Sequence, residues 1–320
     1  MNVSVVMCTY NGAAYLEEQL NSILGQTYPA KEIIVQDDGS TDGTMEILER
    51  YEMNHSQIKV FKNEGKHGIN SNFFSAMRRA SCEYIAISDQ DDIWEARKLE
   101  QQVFAMGDNW LCSGRSIPFS SNGFPISADL RKPNYHILRV AYIGVLPGHT
   151  LLISRKLLDY LPEGDSCSYL YDWQLQLIAT ACEKVVYVDE TLVHFRRHES
   201  SATASAPVSN KKISRQAWCY IWTTFLHHAP LQRYVRTRFK AIKRMLEACA
   251  FETTSKSLCL EMSHLQIRRG PLAMLRRMCF FVRHQEHLFY VTEKRGVVTL
   301  LRALYYPFSC GYYYRGILKK

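Results

Sequence analysis

Along the first ninety residues the hydrophobic pattern switches repeatedly between two periods. Val3-Ser-Val-Val-Met-Cys8 is a short β-rich run closed by the turn residues Asn11-Gly12. Leu16, Leu20, Ile23 and Leu24 then recur at helical spacing, with Glu17 and Glu18 in the first turn, where the helix dipole favours acid. Glu32 to Gln36 reads as a second strand, and Ser40 or Thr41 caps a helix carrying Met45, Leu48 and Tyr51. Gln57 to Phe61 alternates as a third strand, Phe73, Met77 and Ala80 mark a third helix, and Tyr84 to Ser88 is a fourth strand. This alternation predicts an α/β fold, a mostly parallel sheet with helices on both faces.

Past residue 100 the pattern thins. Thr150 to Ser154 reads as a strand after Pro147-Gly148-His149, Tyr171-Asp172-Trp173 opens a helix through Ile178, and Val185 to Val188 is a further strand ahead of His194-Phe-Arg-Arg-His198. The stretch 200–210, rich in Ser, Ala, Thr and Pro, reads as a linker or loop. Beyond it the chain is helix-forming, basic and aromatic. The expected division is a catalytic domain over 1–204 and a basic, mainly helical region over 205–320.

Charge sharpens that division. Residues 1–204 carry 18 Lys+Arg against 26 Asp+Glu, whereas residues 205–320 carry 21 against 5. An acidic half and a strongly basic half predict two jobs, the second facing something anionic. With 47% hydrophobic and 22% charged residues the composition is that of a globular protein, which excludes wholesale disorder. No run is long and apolar enough for a membrane-spanning helix, and the first residues read as a strand rather than a secretory leader. The ten cysteines contain no C-x-x-C pair, so a zinc ribbon or redox dithiol is unsupported and reduced, buried thiols in a cytoplasmic setting are expected.

In open α/β sheets ligands sit beyond the carboxyl ends of the strands. Those ends carry Thr9-Tyr10-Asn11, Asp37-Asp38-Gly39-Ser40 and Asp89-Gln90-Asp91-Asp92. No G-x-G-x-x-G follows the first strand and Gly65-Lys66 lacks the earlier glycine of a P-loop, so the common nucleotide cradles are excluded. Asp89 and Asp91, two apart at a strand end, can converge on one cation, and oxygen ligands suit Mg2+ or Mn2+. A carboxylate in Asp37-Asp38 can accept the imino N–H of a uracil, thymine or guanine base; Asp and Ser there also suit a plain turn and helix cap.

Taken together, Val5 to Gly12, Val35 to Thr44 and Ser88-Asp-Gln-Asp-Asp-Ile-Trp94 closely resemble the family 2 glycosyltransferases of GT-A fold, most of all the rhamnosyltransferase-like branch that builds bacterial surface polysaccharides. The strong resemblance covers roughly the first 100 residues and weaker matches run to about 204. It implies that Thr9, Tyr10 and Asn11 line the nucleotide pocket, that Asp38 contacts the base, and that Asp89 lies nearer the ribose while Asp91 binds metal. It further implies Asp172 as the catalytic base, Arg196 and Arg197 at the diphosphate, His198 as a second metal ligand, and Gly148, His149 and Trp173 on the acceptor side. One departure stands out: Tyr171 occupies the position where the family usually carries Glu.

The implied reaction is an inverting, metal-dependent transfer from a UDP- or dTDP-sugar, dTDP-rhamnose among them, to a hydroxyl of a glycan or lipid-linked acceptor. Two other readings stand beside it. A nucleotidyltransferase for sugar phosphates would also hold Mg2+ on carboxylates, but Thr9-Tyr-Asn-Gly12 lacks the basic glycine-rich loop that triphosphate needs. A catalytically silent sugar-nucleotide-binding or scaffold protein is the third, and the intact Asp91 and Asp172 argue against it. In the basic half, Arg268-Arg269, Arg276-Arg277, Arg283 and Lys319-Lys320 interleave with Phe280-Phe281, Phe289-Tyr290, Tyr305-Tyr306 and 312–314. That pattern predicts peripheral contact with an anionic membrane at its inner face, ahead of helices with solvated basic faces; no nucleic-acid motif is present and no nucleic acid is expected.

Overall fold

The computed structural model describes residues 1–120, 123, 126, 131–161, 170–198, 228–289 and 296–309. The linker read over 200–210, and Tyr290, 312–314 and Lys319-Lys320 of the basic pattern, lie outside the described residues. The chain separates into two compact units. The first comprises Met1–Lys132, Leu146–Ala179 and Lys184–Val208, and the second Pro133–Val145, Thr180–Glu183 and Ser209–Lys320. The helical unit thus gathers two segments from within the first 204 residues.

In the first unit the elements run β1 (Val3–Thr9), α1 (Leu16–Leu24), β2 (Glu32–Asp37), α2 (Thr44–Asn54), β3 (Ile58–Lys62), α3 (Ile69–Arg79), β4 (Tyr84–Ser88), β5 (Ile93–Trp94), α4 (Lys98–Met106) and β6 (Leu111–Phe119). After α5 (Ile137–Val140), which belongs to the second unit, come a 3-10 turn at Gly148–Thr150, β7 (Leu152–Ser154), α6 (Tyr171–Ala181) and β8 (Val185–Arg196). The described strands form an eight-stranded sheet in the order β3-β2-β1-β4-β7-β6-β8-β5. Pairings among β1 to β4 and between β6 and β8 are parallel, whereas β7 runs antiparallel to both neighbours and β5 antiparallel to β8. The expected α/β, mostly parallel architecture is present.

The apolar runs of β2 and β4 are buried along their whole length and β1 at every position but the half-buried Cys8, as expected of strands covered on both faces. α1 covers the sheet through Leu16, Leu20 and Ile23 at three- and four-residue spacing and leaves Glu17 and Glu18 exposed. Register then sets the site. Thr9 pairs with Asp37 and Met7 with Ser88, so β1, β2 and β4 end at one edge of the sheet. The antiparallel β7 begins at that edge, where Leu151 O accepts from Ile87 N at 3.0 Å, and this places Gly148–Thr150 beside the loop after β4. β8 finishes at the same edge, with Ile93 opposite His194. One buried lysine lies behind it: Lys98 Nζ donates to Gln102 Oε1 at 2.8 Å and sits 3.9 Å from the Trp94 ring centroid, and burial pushes it down to about 7.

The second unit is helical: α7 (His228–Glu247), α8 (Thr254–Ile267), α9 (Pro271–Arg283), α10 (Gln285–Leu288) and α11 (Val297–Ser309), with α5 among them. Leu231, Val235, Phe239, Ile242 and Leu246 form the buried stripe of α7. Tyr142 anchors the inserted segment: it is fully buried, accepts from Gln266 Nε2 at 2.6 Å, and lies edge-on to Phe239 and Tyr306 at 5.1 and 5.2 Å. Gln232 ties α7 to two other helices, accepting from Arg277 at 3.1 Å and donating to Pro307 O at 2.7 Å. Among the described residues no helix is long and apolar enough to cross a membrane, and all described cysteines are free thiols.

Candidate functional site

The loops after β1 and β2 are built around Asp37. Its carboxylate accepts from Thr9 Oγ1 at 2.8 Å, Ser40 Oγ at 2.5 Å, Gly39 N at 3.0 Å and Ser40 N at 2.8 Å. Four donors saturate it, so Asp37 shapes the turn. Asp38, the next residue, points elsewhere: its oxygens accept from Asn63 Nδ2 at 2.6 Å and Gly68 N at 2.8 Å, and His67 Nδ1 lies 3.1 Å away. Asn11 adopts φ 49°, a left-handed conformation that asparagine tolerates, and its side chain accepts from Thr41 N at 2.8 Å. This locks the first loop to the second.

Gln90, the middle residue of the D-Q-D segment, ties the first loop to the third. Tyr10 N donates to Gln90 Oε1 at 2.8 Å and Gln90 Nε2 returns a bond to Tyr10 O at 3.0 Å, a reciprocal pair that leaves the Tyr10 ring exposed. A Cβ on Gly12 would sit 2.3 Å from Gln90 Oε1, so this approach requires glycine. Sequence reading passed over Gln90. The signal available was an amide held between two acids at a strand end.

Asp91 Oδ2 lies 2.8 Å from His198 Nε2, so the structure brings together two residues singled out as metal ligands. The His198 ring rests against Tyr15, with centroids 4.8 Å apart. Burial, with Asp89 nearby, raises the Asp91 carboxyl above the usual range, and His198 opposes that shift. A second carboxylate–imidazole group adjoins it. His149 Nδ1 is 3.4 Å from Asp89 Oδ2 and 3.6 Å from Asp92 Oδ2, and His149 Nε2 is 2.8 Å from Ser116 Oγ. Burial works against a charged His149, yet Asp92, Asp89 and Asp91 outweigh it and raise its affinity for the proton. Asp92 is 3% exposed; its Oδ1 accepts from Arg196 N at 3.0 Å, and its buried Oδ2 has no hydrogen-bond partner. Burial drives the Asp92 carboxyl upward.

Arg196 sits otherwise than the diphosphate role would have it. Its buried guanidinium is sandwiched between Tyr15 and Phe119, 4.7 and 4.5 Å from the ring centroids; Nε donates to Asp91 O at 3.0 Å and the other end pairs with Glu18. An arginine so held orients the backbone of the acidic loop. Arg197 is half-buried, with its guanidinium 5.8 Å from the Phe195 ring centroid. Trp173, expected on the acceptor side, is buried.

Asp172 stands in the first turn of α6 and its Oδ1 accepts from Trp173 N at 2.7 Å. Burial, reinforced by Asp89, pushes its carboxyl up to about 6 against the pull of the Trp173 and Gly148 amides and of His149. Tyr171 is buried in front of it, stacked on Phe73 at 4.1 Å between centroids, with its backbone N donating to Asn70 Oδ1 at 2.8 Å. Burial, and after it the Asp89, Asp172 and Asp92 carboxylates, hold the Tyr171 phenol protonated, which marks these residues as one electrostatic neighbourhood.

Gly148 makes this junction possible: a Cβ there would lie 2.4 Å from Tyr171 Oη and 3.3 Å from Asp172 Cβ. Gly148→Ala is therefore expected to cost about 1–3 kcal/mol by overpacking and to displace Asp172. Urea unfolding measures the first effect.

Residues 4–160 match the family model described as glycosyl transferase family 2. The chain carries a family 2 glycosyltransferase domain. The dTDP-rhamnosyl transferase RfbG of Shigella flexneri is 28% identical over 209 residues, 61% of this chain and 72% of RfbG. The UDP-Glc:alpha-D-GlcNAc-diphosphoundecaprenol beta-1,3-glucosyltransferase WfgD of Escherichia coli is 38% identical over 107 residues, 33% of this chain and 42% of WfgD. Among solved structures, S. aureus TarS 1-349 in complex with UDP-GlcNAc superposes with a TM-score of 0.59 at 19% identity, covering 100% of this chain and 91% of that one. The fold is thus GT-A. The chain spans half or less of the length of several curated relatives that it matches. The shared register of β1, β2 and β4 brings the loops carrying Asp38, Asp89, Asp91 and Asp92 to one edge of the sheet.

Proposed function

We propose that the chain is an inverting glycosyltransferase that moves a sugar from a nucleoside diphosphate donor to a hydroxyl of a glycan or lipid-linked acceptor in surface polysaccharide synthesis. The observation that carries this reading is the gathering of three different groups at one sheet edge: an acid at Asp38, a carboxylate–imidazole pair at Asp91 and His198, and an acid of raised pKa at Asp172. RfbG, a dTDP-rhamnosyl transferase by name, supports a dTDP-sugar and WfgD, named for UDP-Glc, supports a UDP-sugar, with dTDP-rhamnose the first to test.

Asp38 accepts the imino N–H of the base, with Thr9, Tyr10 and Asn11 forming the wall of its pocket and Asp89 toward the ribose. A divalent cation fits the donor set. Carboxylate oxygens with one imidazole suit Mn2+ or Mg2+, and the buried Asp92 Oδ2 beside them accepts no hydrogen bond. Asp91 and His198 would hold the ion, which when bound neutralises the charge that develops on the leaving diphosphate. Arg197 faces the same diphosphate, while Arg196 positions Asp91 through its carbonyl and Asp92 through its own amide. Asp172 takes the proton of the acceptor hydroxyl as that oxygen attacks the anomeric carbon opposite the diphosphate. Its raised pKa lies near the working pH, where a general base is most effective. One displacement inverts the configuration. His149 and Gly148 border the acceptor side, with Gly148 packed against Asp172.

Thermal shift against UDP, dTDP and GDP, each with and without Mn2+, followed by donor hydrolysis with a panel of nucleotide sugars, tests this reading. Stabilisation by one diphosphate nucleoside that grows with Mn2+, and slow hydrolysis of its sugar ester, are expected. Preference for a nucleoside triphosphate would point to nucleotidyl transfer, and no nucleotide response at all would remove the proposal.

A further inference from the structure

Two helices of the second unit carry exposed apolar side chains. Helix α9 divides by face: Ala273, Arg277, Phe280 and Phe281 are buried, while Leu272, Leu275, Arg276, Cys279 and Arg283 are exposed and recur at three- and four-residue spacing. Its neighbour α11, in contact through Phe281 and Tyr306 at 4.9 Å between centroids, is apolar on nearly every side and carries Arg302 as its single charge. A helix of that composition is normally enclosed. Here Leu272 and Leu275 are 61% and 55% exposed, and Val297, Val298 and Leu301 are 72%, 63% and 58% exposed.

Charge identifies the partner. Arg268 and Arg269 stand exposed just ahead of α9, and no acid occurs between residues 268 and 285 or within α11. The arginines already crowd one another: burial, together with Arg269, Arg277 and Arg233, disfavours the charge on Arg236. A second copy meeting this face through a twofold axis would set arginine against arginine. Aliphatic side chains beside guanidinium groups instead match the acyl boundary and phosphates of an anionic bilayer. α11 has 13 residues, too few for the roughly 20 that span a bilayer, so it would lie in the interface.

We propose that α9 and α11 form a docking surface for an anionic lipid bilayer. Leu272, Leu275, Val297, Val298 and Leu301 enter the acyl boundary, and Arg268, Arg269 and Arg276 pair with headgroup phosphates. This does not depend on the transfer reaction, and its test contains no sugar nucleotide.

The full chain is sedimented with phosphatidylcholine vesicles and with vesicles that also contain phosphatidylglycerol. Partitioning is expected on the mixed vesicles, to weaken as salt rises, and to be slight on phosphatidylcholine alone. Leu275→Asp with Leu301→Asp should lower partitioning about a hundredfold, since each removes the burial of one leucine. Arg269→Gln with Arg276→Gln should lower it on the mixed vesicles and flatten the salt dependence. Both pairs replace exposed residues, and an unchanged unfolding midpoint verifies that the fold is intact. Equal binding to both vesicle types, or wild-type partitioning by the leucine variant, overturns the proposal. So does a stable dimer in light scattering that the leucine variant dissolves, because a second copy would then be the occupant.

Discussion

Asp91→Ala is expected to abolish the Mn2+-dependent part of nucleotide binding and to lower sugar transfer about 10³-fold. The variant removes the carboxylate that meets His198 at 2.8 Å and leaves only the imidazole of that pair. Asp91 O, which receives Arg196 Nε at 3.0 Å, is backbone and survives the change, so the loop should keep its course. Isothermal titration of the diphosphate nucleoside with and without Mn2+ separates the two contributions: residual affinity from Asp38 and the first loop should persist without metal. Undiminished Mn2+-dependent affinity in Asp91→Ala would move the metal to the neighbouring group of Asp89, Asp92 and His149, whose ligand atoms all lie within 4.8 Å of one another.

The second large effect is Asp172→Asn. Turnover should fall about 10²- to 10⁴-fold while donor affinity stays near that of wild type, because the amide keeps the shape and the bond from Trp173 N but cannot take a proton. The pH dependence has a definite sign. A base whose pKa is raised to about 6 is protonated and inactive below that value, so the wild-type rate should rise through pH 6 and level off above it. The same shift bears on stability. A carboxyl that binds its proton more tightly in the folded state contributes stability that is complete below the ordinary aspartate pKa and lost as pH rises through about 6. Above that pH the native protein carries the cost of a buried charge, so Asp172→Asn should melt at or above the wild-type temperature. Turnover retained in Asp172→Asn would exclude this residue as the base.

Much of the first unit could be read from sequence, because parallel strands buried on both faces announce themselves as valine- and isoleucine-rich runs ended by turn residues. β6 escaped notice for a definite reason: Gly114 and Pro118 interrupt its pattern. The glycine is demanded from outside the strand, since a Cβ there would lie 2.3 Å from Leu192 Cδ1. The acids at the strand ends were visible as composition, but which of two adjacent aspartates is spent on the turn was not. Asp37 accepts four bonds from donors scattered between Thr9 and Ser40, an arrangement only register supplies. Arg196 presents the same difficulty at longer range, since its partner Glu18 lies 178 residues away. A basic residue before a histidine looks like an anion site until the rings on either side of it are in view. Asp172 and His198 are singled out only by the family resemblance; nothing in local spacing sets them apart from an ordinary helix start or a core histidine.

Tyr142 and its inserted segment bear on how such proteins can be recombined. Since Pro133–Val145 and Thr180–Glu183 fold with the C-terminal helices, a cut near residue 208 does not release a self-sufficient N-terminal module. It strands a tyrosine whose aromatic neighbours have been deleted. Swapping specificity between relatives by exchanging C-terminal halves would therefore need the two internal stretches to travel with the graft, and truncation libraries that ignore them should yield mostly insoluble protein.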